Sequence, residues 1–246
     1  MQVEGSTILV TGANGDIGQY FIEALREANP TKIYAAARRI DSLSEIVNSD
    51  PDKIVAVELD ITDPESVAAA AEQCSDVDLL INNAGVGLMQ RFIPDIDLSK
   101  ARTEIEVNYL GTLSMCRAFA PVLKQNGGGA IVNMLSILGK ANFPLNASYS
   151  ASKAAAISMT QGVRAELRKQ STLVVGVMPA TVDTRGSEHF PPPKVSPEIV
   201  VEDALQAVVD GIEDVYPGEQ AKEMVKQLKE NPKAVEEQMA KTLESK

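Results

Sequence analysis

Residues 7–18 read Thr7-Ile8-Leu9-Val10-Thr11-Gly12-Ala13-Asn14-Gly15-Asp16-Ile17-Gly18. A short apolar, β-rich run passes directly into a glycine-rich turn. Ile17, Phe21, Ile22 and Leu25 then recur at helical spacing. A strand, a turn without β-carbons and a helix, in that order, let backbone N–H groups approach a phosphate closely. The first turn of the helix adds positive partial charge at the same place. The glycines are spaced G-x-x-G-x-x-G rather than as the G-x-G-x-x-G dinucleotide fingerprint. Gly12, Asn14, Gly15, Asp16, Ile17 and Gly18 are the expected phosphate-loop positions. An acid beside a pyrophosphate is unfavourable by charge. Asp16 is therefore expected to contribute its backbone, with its carboxylate turned away to cap the helix.

Outward from this unit, the pattern alternates. Apolar runs at 33–37, 54–57, 77–81, 130–135 and 173–178 read as further strands, and a last short one is expected at 215–216. Helical patterns lie between them, at about 41–47, 63–74, 99–125, 148–169 and 198–213. The run at 77–81 is nearly all apolar, which suits a strand covered on both faces. Asp63-Pro64 is a cap followed by proline at the first helical position. The order predicts one α/β domain, a doubly wound parallel sheet of about seven strands with helices on both faces. The segment 183–197, with Pro191, Pro192, Pro193 and Pro197, reads as a loop. The tail 219–246 reads as one or two surface helices, broken near Pro232 and packed on the same domain.

The chain has 246 residues, 44% hydrophobic, with 34 Asp and Glu against 23 Lys and Arg. A net charge of −11 argues against nucleic acid, whose phosphates require a basic surface. A bound phosphate must be held by a local device. Cys74, Cys116 and the single histidine, His189, form no metal-ligand spacing, so no metal is expected. The start of the chain is too polar for a signal peptide, and no apolar run approaches the roughly 18 residues of a membrane span. These features predict a soluble, cytoplasmic protein with no membrane partner.

In dinucleotide folds an acid at the end of the second strand holds the ribose hydroxyls of NAD, whereas an arginine favours the 2′-phosphate of NADP. Counting about twenty residues from Gly18 lands on Arg38, followed by Arg39, and the first acid is Asp41. A planar guanidinium fork suits phosphate oxygens. The cofactor expected is NADP(H).

Tyr149-Ser150-Ala151-Ser152-Lys153 places a phenol and an ammonium four positions apart, on one face of a helix. A nearby ammonium is expected to lower the phenol's pKa toward useful acid–base strength. Ser136 ends the fifth strand, where its hydroxyl could donate to a substrate oxygen. Asn82-Asn83-Ala84-Gly85 ends the fourth strand, and Asn108 lies in the long helix that follows. All of them fall on the rim where open α/β sheets bind ligands.

Together these segments resemble the short-chain dehydrogenase/reductase family over nearly the whole chain. The carriers are TGANGDIG at 11–18, Asp60-Ile61, NNAG at 82–85, Asn108, Ser136, YSASK at 149–153, and Pro179-Ala180-Thr181-Val182-Asp183-Thr184. The resemblance implies a single-domain Rossmann fold. It implies Tyr149 as general acid/base, Lys153 lowering its pKa and holding the nicotinamide ribose, and Ser136 orienting the carbonyl. Asn108 would hold a water that links Lys153 to solvent. Asp60 would meet the adenine, beside the Ile61 backbone. Asn83, Ala84 and Gly85 would line the ribose, and Pro179, Val182 and Thr184 the nicotinamide. Two departures stand out: the glycine spacing matches the family's extended members, and Ala180 replaces a glycine. The resemblance also implies a homodimer or homotetramer through the helices at 99–125 and 148–169.

Substrate contacts are expected at Val86, Leu88, Ile137, Leu138, Phe143 and Phe190, mostly apolar as in other ligand pockets. Arg91, Arg185 and His189 are nearby, with His189 expected to be a plain loop residue. The short loop at 184–197 predicts an open pocket. The expected partner is a small-molecule carbonyl or alcohol: an uncharged aldehyde, ketone or secondary alcohol. An epimerase or dehydratase is the rival suggested by the glycine spacing and would consume no NADPH. A non-catalytic NADP(H)-sensing protein is the rival from outside the enzymes; relatives of that kind tend to lose the tyrosine or the lysine, and both are present here.

Overall fold

The computed structural model describes residues 1–94 and 97–244. Ser245 and Lys246, the end of the tail read as helical, lie outside the described residues. Strand β1 (Thr7–Thr11) leads into helix α1 (Asp16–Glu27), then β2 (Lys32–Ala37), a 3-10 turn (Ile40–Leu43) and α2 (Ser44–Ser49). Next come β3 (Ile54–Glu58), α3 (Pro64–Gln73) and β4 (Leu79–Asn82). Helices α4 (Leu98–Ile105) and α5 (Thr112–Gln125) precede β5 (Ala130–Met134), α6 (Ala147–Leu167) and β6 (Leu173–Val177). The chain ends with α7 (Pro197–Asp210), β7 (Asp214–Val215), α8 (Gly218–Glu230) and α9 (Pro232–Lys241).

The strands form one parallel sheet in the order β3-β2-β1-β4-β5-β6-β7. β1 and β4 are buried along their whole length, as the apolar runs predict. Alternate residues feed two cores. Ile8 and Val10 pack with Phe21, Leu25, Val200 and Ala204 on one face. Leu9 packs with Met115, Phe119 and Leu123 on the other. Each such fully buried side chain contributes about 1.5–3 kcal/mol.

Helix boundaries follow local chemistry. The Asp63 carboxylate accepts the Glu65 N–H at 3.0 Å, with Pro64 at the first helical position. Ser196 caps α7 ahead of Pro197, and Gly211 ends it at φ +72°. The tail forms two helices with a break at Asn231-Pro232, and Ala221, Val225, Val235 and Met239 are buried.

Three expectations are corrected. The helix expected at 99–125 is not continuous, because Glu106–Gly111 form a π-helical turn between α4 and α5. A Cβ on Gly111 would stand 2.8 Å from Ile61 Cγ1, so the wide turn brings bare backbone against the strand-three loop. The segment 183–197 is not all loop: Arg185–Ser187 make a 3-10 turn and Val182 bridges Val195 in parallel. The last strand lies at Asp214–Val215, a residue earlier than expected, set by pairing with Gly176 and Val177.

Candidate active site

The strand order switches direction between β1 and β4. At their carboxyl ends a cleft of about 960 Å³ opens. Gly12, Asn14, Gly15, Asp16 and Ile17 line one end. Gly12 has φ +63°, and a Cβ there would stand 3.0 Å from Ala84 Cα. Gly18 does not line the cleft. It is buried because a Cβ would collide with the Gly12 carbonyl oxygen. The turn is therefore packed as tightly as a phosphate cradle requires.

Strand β4's end is stitched to this turn. The Thr11 hydroxyl accepts the N–H groups of Asn83 and Ala84, each at 3.0 Å. The Asn83 amide donates to the carbonyls of Thr11 (3.0 Å) and Gly12 (3.1 Å). Asn83, Ala84 and Gly85 all line the cleft.

Arg38 and Arg39 are exposed at the end of β2 and line both the cleft and a smaller recess beside it. The Asn14 amide donates to the Ser42 hydroxyl at 3.0 Å, tying the glycine turn to that recess. Asp60 and Ile61 line the cleft. The Asp60 carboxylate accepts from the Thr62 hydroxyl (2.7 Å) and N–H (2.9 Å). These bonds, with the Arg38 charge, hold it below the usual carboxylate range.

Asp16 departs from expectation. Gly15 occupies the cap position, and no side chain caps α1. The Asp16 carboxylate instead accepts the Arg185 backbone N–H at 2.9 Å and its guanidinium at 2.6 Å. The guanidinium fork outcompetes the helix's own N–H groups because it adds a full opposite charge. Arg185 is thereby engaged and is no free anchor for substrate.

Beyond Gly85 lie Ser136, Tyr149, Lys153 and Asn108. A Cβ on Gly85 would stand 3.5 Å from Lys153 Nζ and 3.2 Å from Asn108 Oδ1. The Tyr149 phenol is half-buried and faces the Ser136 hydroxyl, which itself accepts the Leu138 N–H at 3.2 Å. Lys153 is buried, with Nζ donating to the Met134 carbonyl at 2.8 Å. Asn108 sits in the π turn. Its amide donates to the Val86 carbonyl (2.8 Å) and the Ser152 hydroxyl (2.9 Å), and its Oδ1 accepts the Val86 N–H (2.8 Å).

Burial dominates the electrostatics of both groups. Burial pushes the Tyr149 phenol up to about 12, against a smaller downward pull from the Ser136 bond and with Glu104 raising it further. Burial brings Lys153 down to about 8. Lys153 stands beside the phenol. Its ammonium lies 5.6 Å from the ring centroid and is directed at the Met134 carbonyl.

Thr184 lines the cleft mouth, whereas Pro179 and Val182 do not. The Pro179 carbonyl accepts the Ile137 N–H at 3.0 Å, and Val182 is buried in the core. Phe143 and Phe190 meet with ring centroids 6.2 Å apart, and His189 stacks on Phe190 at 4.2 Å. None of these three rings lines the cleft. Arg102, Thr103, Glu106 and Val107 also line the cleft. They were missed because only the π turn aims that helix end inward. Among the described residues no helix is long and apolar enough to cross a membrane.

The family model described as short chain dehydrogenase matches residues 6–193. An NADP-dependent 3-hydroxy acid dehydrogenase of Schizosaccharomyces pombe is 30% identical over 194 residues, covering 76% of this chain and 75% of that protein. The ketoacyl reductase HetN of Nostoc is 30% identical over 224 residues, covering 85% and 76%. A crystal structure of a short chain dehydrogenase from Burkholderia cenocepacia in complex with NADP superposes with a TM-score of 0.92 at 45% identity, covering 97% of this chain and 99% of that one. The chain belongs to the short-chain dehydrogenase/reductase family and is an oxidoreductase of that family.

Proposed function

We propose that this protein is an NADP(H)-dependent reductase that interconverts an uncharged, mainly apolar aldehyde or ketone and its alcohol. The observation that carries the proposal is the cluster of Ser136, Tyr149 and Lys153 packed behind Gly85, the cleft-lining residue whose Cβ would stand 3.5 Å from Lys153 Nζ, with two arginines bordering the same cleft. The residues fit the cofactor. Gly12 and Gly15 of the turn line the open cleft, where a pyrophosphate would lie, and Arg38 and Arg39 border the adjoining recess, where they would meet a 2′-phosphate. NADP in the Burkholderia cenocepacia structure supports the same choice.

When bound, the reduced nicotinamide supplies the hydride. The remaining steps belong to this chain. At about 12, the Tyr149 phenol is protonated at neutral pH and loaded to give its proton to the carbonyl oxygen. The Ser136 hydroxyl orients that oxygen and stabilises its developing charge. Lys153, at about 8, exchanges protons near neutrality and is suited to refill the phenol. Asn108 fixes Ser152 and the Val86 backbone around them. Phe143 and Phe190 favour an apolar, aromatic or alicyclic substrate.

The test is NADPH oxidation against a panel of neutral aldehydes and ketones. Turnover is expected with at least one of them, falling by about a hundredfold or more in Tyr149→Phe. Isomerisation or dehydration without net NADPH consumption would replace this reading with that of an epimerase or dehydratase.

A further inference from the structure

We propose that Glu104 is a positioning and specificity-determining residue that holds the 86–90 segment onto Tyr149 and sets the substrate pocket against anionic carbonyl compounds. The inference rests on the reading of Tyr149 as proton donor.

Glu104 lies in the last turn of α4 and is fully buried, at 0% exposure. One carboxylate oxygen, Oε1, accepts the Leu88 N–H at 2.7 Å. The other, Oε2, is buried with no hydrogen-bond partner among the described residues. Leu88 follows Gly87, whose backbone lies on the phenol: a Cβ there would stand 3.4 Å from Tyr149 Cδ2 and 3.7 Å from Cε2. Carboxylate, Leu88 N–H, Gly87 and the Tyr149 ring therefore form one continuous stack. A buried carboxylate with a single backbone donor is costly to keep, and its energy is repaid only where its position or charge matters.

Its charge reaches the reacting group, raising the Tyr149 phenol beyond what burial alone does. Ser136 faces the same phenol from the end of β5 and is neutral. Lys153 faces it from α6, with Nζ 5.6 Å from the ring centroid and hydrogen-bonded to the Met134 carbonyl. Asn108 faces the site from the π turn and is neutral. A substrate carbonyl oxygen must sit on the Tyr149 and Ser136 hydroxyls. A carboxylate a few bonds from that carbonyl then lies within Coulomb range of Glu104. At an effective dielectric constant of about 20, like charges roughly 8 Å apart disfavour such a substrate by about tenfold or more. Neutral carbonyls escape this.

The experiment compares NADPH-dependent reduction of a γ-keto acid with that of its primary amide, which has the same skeleton and size. In the wild-type protein, kcat/KM for the amide is expected to exceed that for the acid by about tenfold or more. Glu104→Gln keeps an oxygen for the Leu88 N–H and removes the charge. In it the amide-to-acid ratio is expected to fall toward one. The pH limb of alcohol oxidation is expected to move to lower pH, which a merely structural role would not produce. Equal turnover of acid and amide by the wild type overturns the proposal even if the variant fails to fold. A folded Glu104→Gln protein with an unchanged ratio and pH limb overturns it as well. Absence of carbonyl-dependent NADPH oxidation with either compound and with the neutral panel removes the reading of Tyr149 itself, and the inference with it. Amide turnover that is lost in Tyr149→Phe keeps that reading whatever the Glu104 result.

Discussion

The carboxylate of Asp16 clasps Arg185 across the mouth of the cleft, accepting the guanidinium at 2.6 Å and the Arg185 backbone N–H at 2.9 Å. It joins the glycine turn after β1 to the segment carrying Thr184, so the two walls of the cofactor cleft are fastened to each other. Arg185 is 76% exposed at its side chain, and an exposed pair contributes little to global stability. Its effect falls on the local opening of the cleft. Arg185→Ala is expected to raise the KM for NADPH by about threefold and to speed NADPH release, with the melting temperature nearly unchanged. Raised salt should produce a similar effect in the wild type, since screening weakens exposed pairs. Stopped-flow NADPH dissociation measures both.

Arg38 and Arg39 follow β2 directly and border the recess beside the main cleft, which Asp41 and Glu58 also line. A charge-assisted bond to phosphate is worth about 1.5–3 kcal/mol. Each single change to alanine is therefore expected to raise the KM for NADPH by about tenfold or more while leaving that for NADH nearly unchanged. Equal affinities for the two cofactors across wild type and variants would remove the assignment of this recess to the 2′-phosphate.

The fold was legible because the inner strands of a parallel sheet, buried on both faces, are written as apolar runs separated by helical periods, whereas the edge strands β3 and β7 are partly exposed and carry that signal weakly. The Ser136, Tyr149 and Lys153 cluster was legible because Ser136 closely follows β5 and Tyr149 and Lys153, four apart, share one face of α6. Three features were not. The π turn at Glu106–Gly111 depends on Gly111 meeting Ile61, a contact between positions far apart in sequence. The Asp16–Arg185 clasp spans 169 positions and has no local signature. Glu104 sits in a charged, helical stretch that reads as a solvated face, yet the packing of α4 against α6 buries it.

The Tyr149 phenol titrates at about 12 in the cofactor-free protein, because burial disfavours the phenolate more than the Ser136 bond favours it. A raised folded-state value makes the protonated form the native one. Its stabilising contribution is complete below the free phenol's pKa near 10 and is lost as pH rises through about 12. An ultraviolet difference titration of wild type minus Tyr149→Phe is expected to place this phenol above ordinary tyrosines, and oxidised NADP is expected to bring it down. Carbonyl reduction should then be nearly flat through neutral pH, while alcohol oxidation climbs as the phenolate is formed. A difference spectrum rising near pH 10 would contradict the burial argument.

Lys153 offers the reverse case. Burial brings its ammonium down to about 8 from 10.5, so the folded state prefers the neutral amine. Above the unfolded value of 10.5 the residue is neutral in both states and costs nothing. As pH falls from there to about 8 the unfolded chain gains a proton that the folded chain resists, and stability is lost. Below about 8 the penalty is constant, at roughly 3–4 kcal/mol. Lys153→Met removes it but leaves the Met134 carbonyl without its 2.8 Å donor, which costs about 1 kcal/mol. The variant is therefore expected to lose reductase activity and still melt roughly 2–5 °C higher than the wild type at pH 7. The gap should shrink steadily from pH 8, reverse near pH 10, and above 10.5 reflect only the lost hydrogen bond. Thermal melts of both proteins across that range decide it, and a variant less stable than wild type at pH 7 would show that the buried ammonium is held by more than one carbonyl.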